Sequence, residues 1–410
     1  MKYNMFLFVL ISLFIPLKMN AQSLQELLSV AEINNYELRA LEDEYLAALE
    51  KAPQVSQLPD PEANLGLFLL PPETRLGPQR VAIGASQIFP WKGTLEAREV
   101  VALSNAQAKY QRIAATRLNL FYQVKVAYFQ LYELEESMEI IQDNIQVFKA
   151  LESLTLVRTK SGKGNLSDVL RVQIKLQELD QQLKIIDNQK TKALAALNQV
   201  LGRPVDESVQ IVGEFSRAEM LFDKDNLADN IRQNHPIVKM FSIQQESAQN
   251  EIELNTLNGK PSFGVGMDYI MVGKRSDAFP ERNGRDILIP KVKVKIPLYR
   301  KKYTAKAQEE KLKIAALENR KEDVQLKFLS SIEKAYADYE DAVLKLELYQ
   351  KQIVTTKTAI NILQETYSNS GSSFDELLQL ESDLFNYDLK ILNAIMQSHI
   401  AKVAVERYIL

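Results

Sequence analysis

Few side chains in these 410 residues are suited to making or breaking bonds. The sequence has two histidines, His235 and His399, and no cysteine, so soft-metal ligation lacks its usual donors. His235 directly precedes Pro236 and reads as a helix-start residue rather than a ligand. No Walker-type phosphate loop, nucleophile elbow or His-Glu-x-x-His motif occurs, and Gly162-Lys-Gly164 is not followed by the residues a phosphate loop needs. No catalytic residue, cofactor or bound metal is expected. Two other sets of charges stand out. Asp168 and Asp375 sit in equivalent polar turns, and Lys291, Lys293 and Lys295 occupy alternate positions of one short segment. The aspartates suit capping a helix N-terminus. The lysine row suits the wetting of a polar surface.

The elements that carry these residues can be read from periodicity. Residues near 94–160 and 303–367 lack proline and are rich in Ala, Leu, Gln, Glu and Lys, which favour helix. Some 65 residues at 1.5 Å rise give about 100 Å of helix. In the first stretch Leu131, Leu134, Met138, Ile141, Ile145 and Phe148 alternate steps of three and four. In the second, Ile332, Tyr339, Leu346, Ile353, Ile360 and Tyr367 recur every seven residues, accompanied by Ala335, Ala342, Tyr349, Thr356 and Leu363. Sustained heptads predict coiled-coil packing. The first stretch ends at Lys160-Ser-Gly-Lys-Gly-Asn-Leu-Ser-Asp168 and includes Gly162; the second ends at Ser368-Asn-Ser-Gly-Ser-Ser-Phe-Asp375 and includes Asn369. Gly and Asn stop helices, and Ser or Asp at 167–168 and 372–375 can cap the next one. A returning helix is expected to run its seam through Leu170, Ile174, Leu179 and Ile185.

Four short segments alternate with period two: Leu65, Leu67 and Leu69; Val81, Ile83 and Ala85; Phe263, Val265, Met267 and Tyr269, with Gly264, Gly266 and Asp268 opposite; and Val292, Val294 and Ile296 opposite the three lysines. Such alternation predicts strands with one apolar and one polar side. Their length suits either tilted membrane strands or a small soluble sheet. Four strands cannot close a barrel, so membrane strands would have to be pooled among several chains.

The chain reads as a tandem copy of one motif. Pro61 matches Pro261, Pro90 matches Pro297, Val124-Lys-Val-Ala-Tyr128 matches Ile332-Glu-Lys-Ala-Tyr336, and Ser167-Asp168 matches Phe374-Asp375, in the same order. The expected organisation is a leader over 1–21, a first repeat over 22–202, a connector over 203–226, and a second repeat over 227–410. The leader follows from Lys2, an apolar run over Met5–Leu17 and small Ala21; an uncleaved anchor is the other reading, for which the run is short. Without it the charge is 48 − 53 = −5, which argues against nucleic acid as partner.

With these residues assembled, the chain resembles the TolC-like outer-membrane efflux protein family. The resemblance rests on Leu58-Pro-Asp-Pro61 entering the first strand, Ser86-Gln-Ile-Phe-Pro-Trp-Lys-Gly93 leaving the second, Ile296-Pro297-Leu298 leaving the fourth, and Gly162 six residues before Asp168-Val-Leu170. It implies a mainly α fold with a few membrane β-strands. Duplicated coiled-coil hairpins form a trimeric α-barrel tunnel, and three chains share a 12-strand transmembrane β-barrel. It also implies a passive export duct in the outer membrane of a Gram-negative bacterium, extending into the periplasm. The implied partners are a homotrimer's other copies, outer-membrane lipid, a periplasmic adaptor (membrane fusion) protein and an inner-membrane pump of the resistance-nodulation-division (RND) type. Leu58-Pro-Asp-Pro61, Glu73-Thr-Arg-Leu-Gly77 and Phe89-Pro-Trp-Lys-Gly93 look most like the heavy-metal branch. Family members place the turns between long helices at the periplasmic tip, which makes Gly162, Asp168, Arg171, Asn369 and Asp375 tip candidates, and Lys291, Lys293 and Lys295 barrel-lumen candidates. Family members constrict the tip with acidic rings, a position that Asp375 occupies here and that Asp168 matches in the first copy; Arg171 and Leu378 stand where some members carry a second acid, which puts a double acidic ring in doubt. The competing readings are a periplasmic coiled-coil adaptor or a structural protein.

Overall fold

The structure, a computed structural model, describes residues 23–211, 213–370 and 373–409. The expected leader over 1–21 and part of the second turn lie outside the described residues.

The chain opens with short helices whose starts are set by side-chain caps. Ser23 and Glu26 form a reciprocal capping box at α1 (Leu24–Asn34), with Ser23 N donating to Glu26 Oε2 at 2.9 Å and Glu26 N to Ser23 Oγ at 3.3 Å. Asn35 caps α2 (Tyr36–Leu49) by accepting from Leu38 N at 3.0 Å, and a short α3 (Lys51–Val55) follows. Strands β1 (Glu62–Leu67), β2 (Glu73–Thr74) and β3 (Gly77–Phe89) lead into α4 (Thr94–Lys160) and α5 (Leu166–Leu201). The order then recurs. Asp223 caps α6 (Lys224–Asn234), and His235 caps α7 (Pro236–Asn258) by accepting from Ile237 N at 3.2 Å. Strands β4 (Ser262–Val272) and β5 (Ile287–Lys295) lead into α8 (Lys301–Ser370) and α9 (Phe374–Glu406). The second repeat, expected from residue 227, opens with a helix that already begins at Lys224, because the Asp223 carboxylate holds the Asp225 N–H.

Two compact units emerge, each drawing on both halves of the sequence. The first takes residues up to Ala31, Val124–Ala218 and Ala342–His399. Its core joins Ile141, Phe148 and Leu151 of α4, Val172, Leu179 and Ile186 of α5, Ile360 and Tyr367 of α8, and Leu377 and Phe385 of α9. The heptad positions of α4 and α8 are buried or half-buried, as their spacing predicts. The seam expected on α5 is displaced. Leu170, Ile174 and Ile185 are exposed, whereas Val169, Val172, Leu179 and Ile186 are buried, with Leu176 and Leu183 packed against the core. Two apolar stripes run along this helix, and alternating steps of three and four also connect 169, 172, 176, 179, 183 and 186. Packing selects this second stripe.

The connector is tied to the first unit by specific contacts. Fully buried Asn198 donates to the carbonyls of Val205 and Glu207 at 3.1 and 2.7 Å, Ala218 N donates to Ser398 Oγ at 2.9 Å, and the Phe215 ring packs on Tyr132 and Phe129 at 4.8 and 5.4 Å.

The second unit takes Glu32–Gln123, Glu219–Asp341 and Ile400–Leu410. Its helical core gathers Leu227, Ile231, Ile332, Ala335, Val405 and Tyr408. It also holds the antiparallel sheet, whose order is β1-β3-β4-β5, with β2 paired to β3 alone. Leu69, expected on the first strand, lies beyond it. None of the described helices is long and apolar enough to cross a membrane.

The hairpin tips and the four-stranded sheet as candidate functional sites

The expected tip residues converge in the first unit. Helix α4 ends in a turn where Gly162 has φ 72°, the left-handed conformation a Cβ disfavours, and no atom lies near enough to obstruct one. The cap of α5 is Asn165, whose side chain accepts from Ser167 N at 3.2 Å. The capping role expected of Ser167 or Asp168 therefore falls to Asn165. Asp168 sits in the first helical turn, where its charge still complements the helix dipole. At the second tip Ser373 takes φ 66°, an uncommon conformation for a non-glycine residue. Its carbonyl accepts from Leu377 N at 3.1 Å as α9 begins, with Asp375 and Glu376 in the first turn. Asn369 lies exposed in the last turn of α8.

The two tips are joined. Arg171 Nη1 donates to Asp375 Oδ1 at 2.5 Å, with both side chains more than half exposed. Sequence reasoning named both residues as tip candidates but not as a pair, because 204 positions separate them. It missed Arg158 altogether. Arg158 Nη1 donates to the Ser368 carbonyl at 2.8 Å, Nη2 to the Lys163 carbonyl at 3.3 Å, and the guanidinium stacks over the Tyr367 ring at 4.7 Å. One arginine thus bridges the end of α4, its own turn and the end of α8. Burial, and secondarily the Asp168 charge, raise the Tyr367 phenol above its ordinary value. A buried carboxyl, Glu381 of α9, is also raised by burial and accepts from Gln364 at 3.3 Å. The only available signal for Arg158 was its place in the last turn of a helix, where cations are common.

The sheet divides by side-chain type. Register places Glu62, Asn64, Gly84, Ser86, Gly264, Gly266, Asp268, Lys291, Lys293 and Lys295 on one face. Lys291 pairs with Asp268, and Lys293 donates to Ser86 Oγ at 2.8 Å and lies 3.7 Å from Glu62. A Cβ on Gly84 would collide with the side-chain oxygens of Asn64 and Asp268, so glycine lets polar groups from three strands meet. The opposite face carries Leu65, Leu67, Ile83, Phe89, Phe263, Val265, Met267, Leu288, Val292 and Val294, all exposed. Strands β1 and β5 each have one neighbour among the described residues. The lysine row thus stands among carboxylates and hydroxyls, with Lys295 at its end.

No group of His, Asp and Glu among the described residues is arranged to hold a metal ion. His399 Nε2 lies 2.8 Å from the Ser216 carbonyl, and His235 acts as a helix cap.

The chain is mainly helical, with two long hairpins and a sheet whose apolar side is exposed. Comparison bears on this directly. Residues 27–203 match the model of the family described as outer membrane efflux protein. Three solved structures share the fold. The outer-membrane channel OprN is similar with TM-score 0.76 and 15% identity over 94% of this chain and 89% of that one. CusC has TM-score 0.74 and 15% identity over 93% and 90%. The outer membrane protein VceC from Vibrio cholerae has TM-score 0.73 and 14% identity over 93% and 94%. No curated protein matches the sequence. The family match thus covers somewhat less than half of the chain, and the fold over nearly its whole length is that of solved outer-membrane channels.

Proposed function

We propose that the chain is one subunit of a passive trimeric export duct. Three copies pool twelve strands into an outer-membrane β-barrel and their hairpins into an α-barrel tunnel reaching through the periplasm of a Gram-negative cell. The observation that carries this reading is the sheet: an exposed apolar face together with edges at β1 and β5. An open edge leaves backbone N–H and C=O groups unpaired, which lipid does not tolerate. Pairing β5 of one copy with β1 of the next satisfies both edges, puts the lysine face toward the lumen and turns the apolar face to lipid. The exposed stripe of Leu166, Leu170, Ile174 and Ile185 on α5 gives the helical part a surface for the same neighbours.

The repeats 22–202 and 227–410, joined by the 203–226 connector, are copies of one motif. The recurrent helix-cap-helix starts at Asn35 and His235 support this. The tips around Gly162, Asp168, Arg171, Asn369 and Asp375 are the periplasmic end, where a periplasmic adaptor and an inner-membrane RND-type pump engage. Energy comes from that pump, since the sequence carries no nucleotide motif. A heavy-metal cargo rests on the Leu58–Pro61 and Phe89–Gly93 motifs alone, because the fold is as similar to OprN as to CusC.

The test is reconstitution of the mature chain in planar bilayers, with sizing of the detergent-extracted protein. Trimers and discrete conductance are expected. A detergent-free soluble monomer without conductance would favour the adaptor or structural reading instead. Replacing Asp168 and Asp375 by Ala should raise conductance if the tips constrict the tunnel, and leave it unchanged if they do not.

A further inference from the structure

At the end of the sheet where the long helices begin, the second unit holds a cleft of about 810 Å³. Its walls come from the close of β3, the turn between α7 and β4, the close of β5 and the first turns of α4 and α8. Arg98, Lys260, Lys295, Lys302 and Lys306 line it, and no Asp or Glu does. Lys306 is neutralised by Glu310 at 2.7 Å, and Lys302 Nζ sits 4.8 Å from the Tyr303 ring centre. Arg98, Lys260 and Lys295 have no carboxylate partner among the described residues. Like charges gathered without counter-charge repel one another.

Two further observations say what is missing. Helix α8 opens with Arg300-Lys301-Lys302 and has no acid in its first turn, so cations crowd the positive end of a 70-residue helix, where anions are favoured. In the wall of the same cleft, Thr94 is 2% exposed and its hydroxyl has no hydrogen-bond partner. A buried polar group without a partner is uncommon and calls for a ligand. An anion with several acceptor oxygens meets every one of these demands.

The cleft is also amphipathic. Trp91 and Tyr303 line it, and the Trp91 ring packs 6.2 Å from Phe263. The exposed apolar side chains Phe89, Ile296 and Leu298 lie at the same end of the sheet. Aromatic residues beside cations at the end of membrane strands mark the headgroup level. Arg300 donates to the Gly259 carbonyl at 2.8 Å and ties the two turns together, so the walls are pre-set.

We propose that this cleft binds the phosphate of an anionic phospholipid in the leaflet from which the helices emerge, with the acyl chains lying along the apolar sheet face. The proposal rests on the reading that the strands span the outer membrane. Free phosphate shares the headgroup chemistry but would gain nothing from the apolar rim.

The test uses the full mature chain, delipidated in detergent and equilibrated with mixed micelles of phosphatidylglycerol or phosphatidylcholine, with retained lipid counted by native mass spectrometry. The wild type should retain phosphatidylglycerol at least about fivefold over phosphatidylcholine. The Arg98→Gln, Lys260→Gln, Lys302→Gln variant should bring the ratio close to one. The charge-keeping Arg98→Lys, Lys260→Arg, Lys302→Arg variant should preserve it, which separates lost charge from lost fold. Thr94→Val should lower it without changing any charge. No preference in the wild type, or a preference that survives the Gln variant, overturns the proposal. So does binding of inorganic phosphate with no preference between the lipids. Bilayer conductance of the same samples is read separately. Conductance without lipid preference sinks only the lipid site, and absence of conductance sinks the channel reading.

Discussion

Around Phe148, the side chains of Ile141, Leu179, Tyr367 and Leu377 face inward and are fully or nearly fully buried. Across the sheet the arrangement is reversed. Leu65, Val265, Val292 and Val294 face outward, and the charged groups Asp268, Lys291, Lys293 and Glu62 gather on the other side. Both regions obey the same rule that apolar surface leaves water. The helical core around Phe148 satisfies it within the chain, whereas the exposed α5 stripe of Leu166, Leu170, Ile174 and Ile185 and the apolar face of the sheet satisfy it only if lipid or another copy covers them. This difference separates the part of the molecule that is stable by its own packing from the part that needs an environment.

The comparison can be broken first at the helical core. Phe148→Ala should cost about 3–5 kcal/mol of folding stability, measured by denaturant titration of the detergent-solubilised protein. A cost below 1 kcal/mol would mean that this core does not hold the unit together. Next comes the sheet. Val265→Arg, in mid-strand on the apolar face, should cost about 2–4 kcal/mol when the protein unfolds from bilayers, and far less in a detergent-free soluble state. An equal cost in both would assign the face to a protein partner rather than lipid.

A smaller effect belongs to His235. Burial, with the Arg407 charge second, holds its imidazole down at about 4 instead of 6.5. Between those values the unfolded chain binds a proton that the folded chain refuses. Stability therefore falls as pH falls from about 6.5 toward 4 and is retained above that window, by an amount on the order of 2 kcal/mol. His235→Asn keeps an acceptor at the helix start and should flatten this part of the stability profile. The least effect is expected at the exposed tips. A double-mutant cycle on Arg171→Ala and Asp375→Ala should give a coupling of about 0.2–1 kcal/mol, weaker in high salt. A larger, salt-insensitive coupling would indicate that the pair is shielded from water in the assembled protein.

How much of this was legible in the sequence differs between the same two regions. The long helices were readable because their periodicity is repeated over many turns, and the span expected over 94–160 coincides with α4. The seam of α5 was misread because Leu170, Ile174 and Ile185 form a second apolar stripe. Only the neighbouring helices decide which stripe is covered. The strands were readable as alternation, and their ends were not: Leu69 continues the pattern but falls outside β1, since pairing with β3 stops at Leu67 opposite Val81. Within the sites, Asp375 and Arg171 were named singly. Their pairing, the bridge made by Arg158 and the cap supplied by Asn165 depend on residues that meet only in space or on backbone geometry.

By itself, the sequence determined the element types, the helical and strand periodicities, and the family resemblance. These depend on spacing along the chain, and local backbone geometry translates spacing directly into faces. The tertiary structure decided which face of each element is covered, which charges meet across two hundred residues, and that five cations and an unpartnered buried hydroxyl surround one cleft. Those facts depend on register and on contacts between distant segments. The sheet with which the chain leaves its apolar face bare is where the two kinds of information join. Alternation predicts that such a face exists, and only the fold shows that nothing in the described chain covers it.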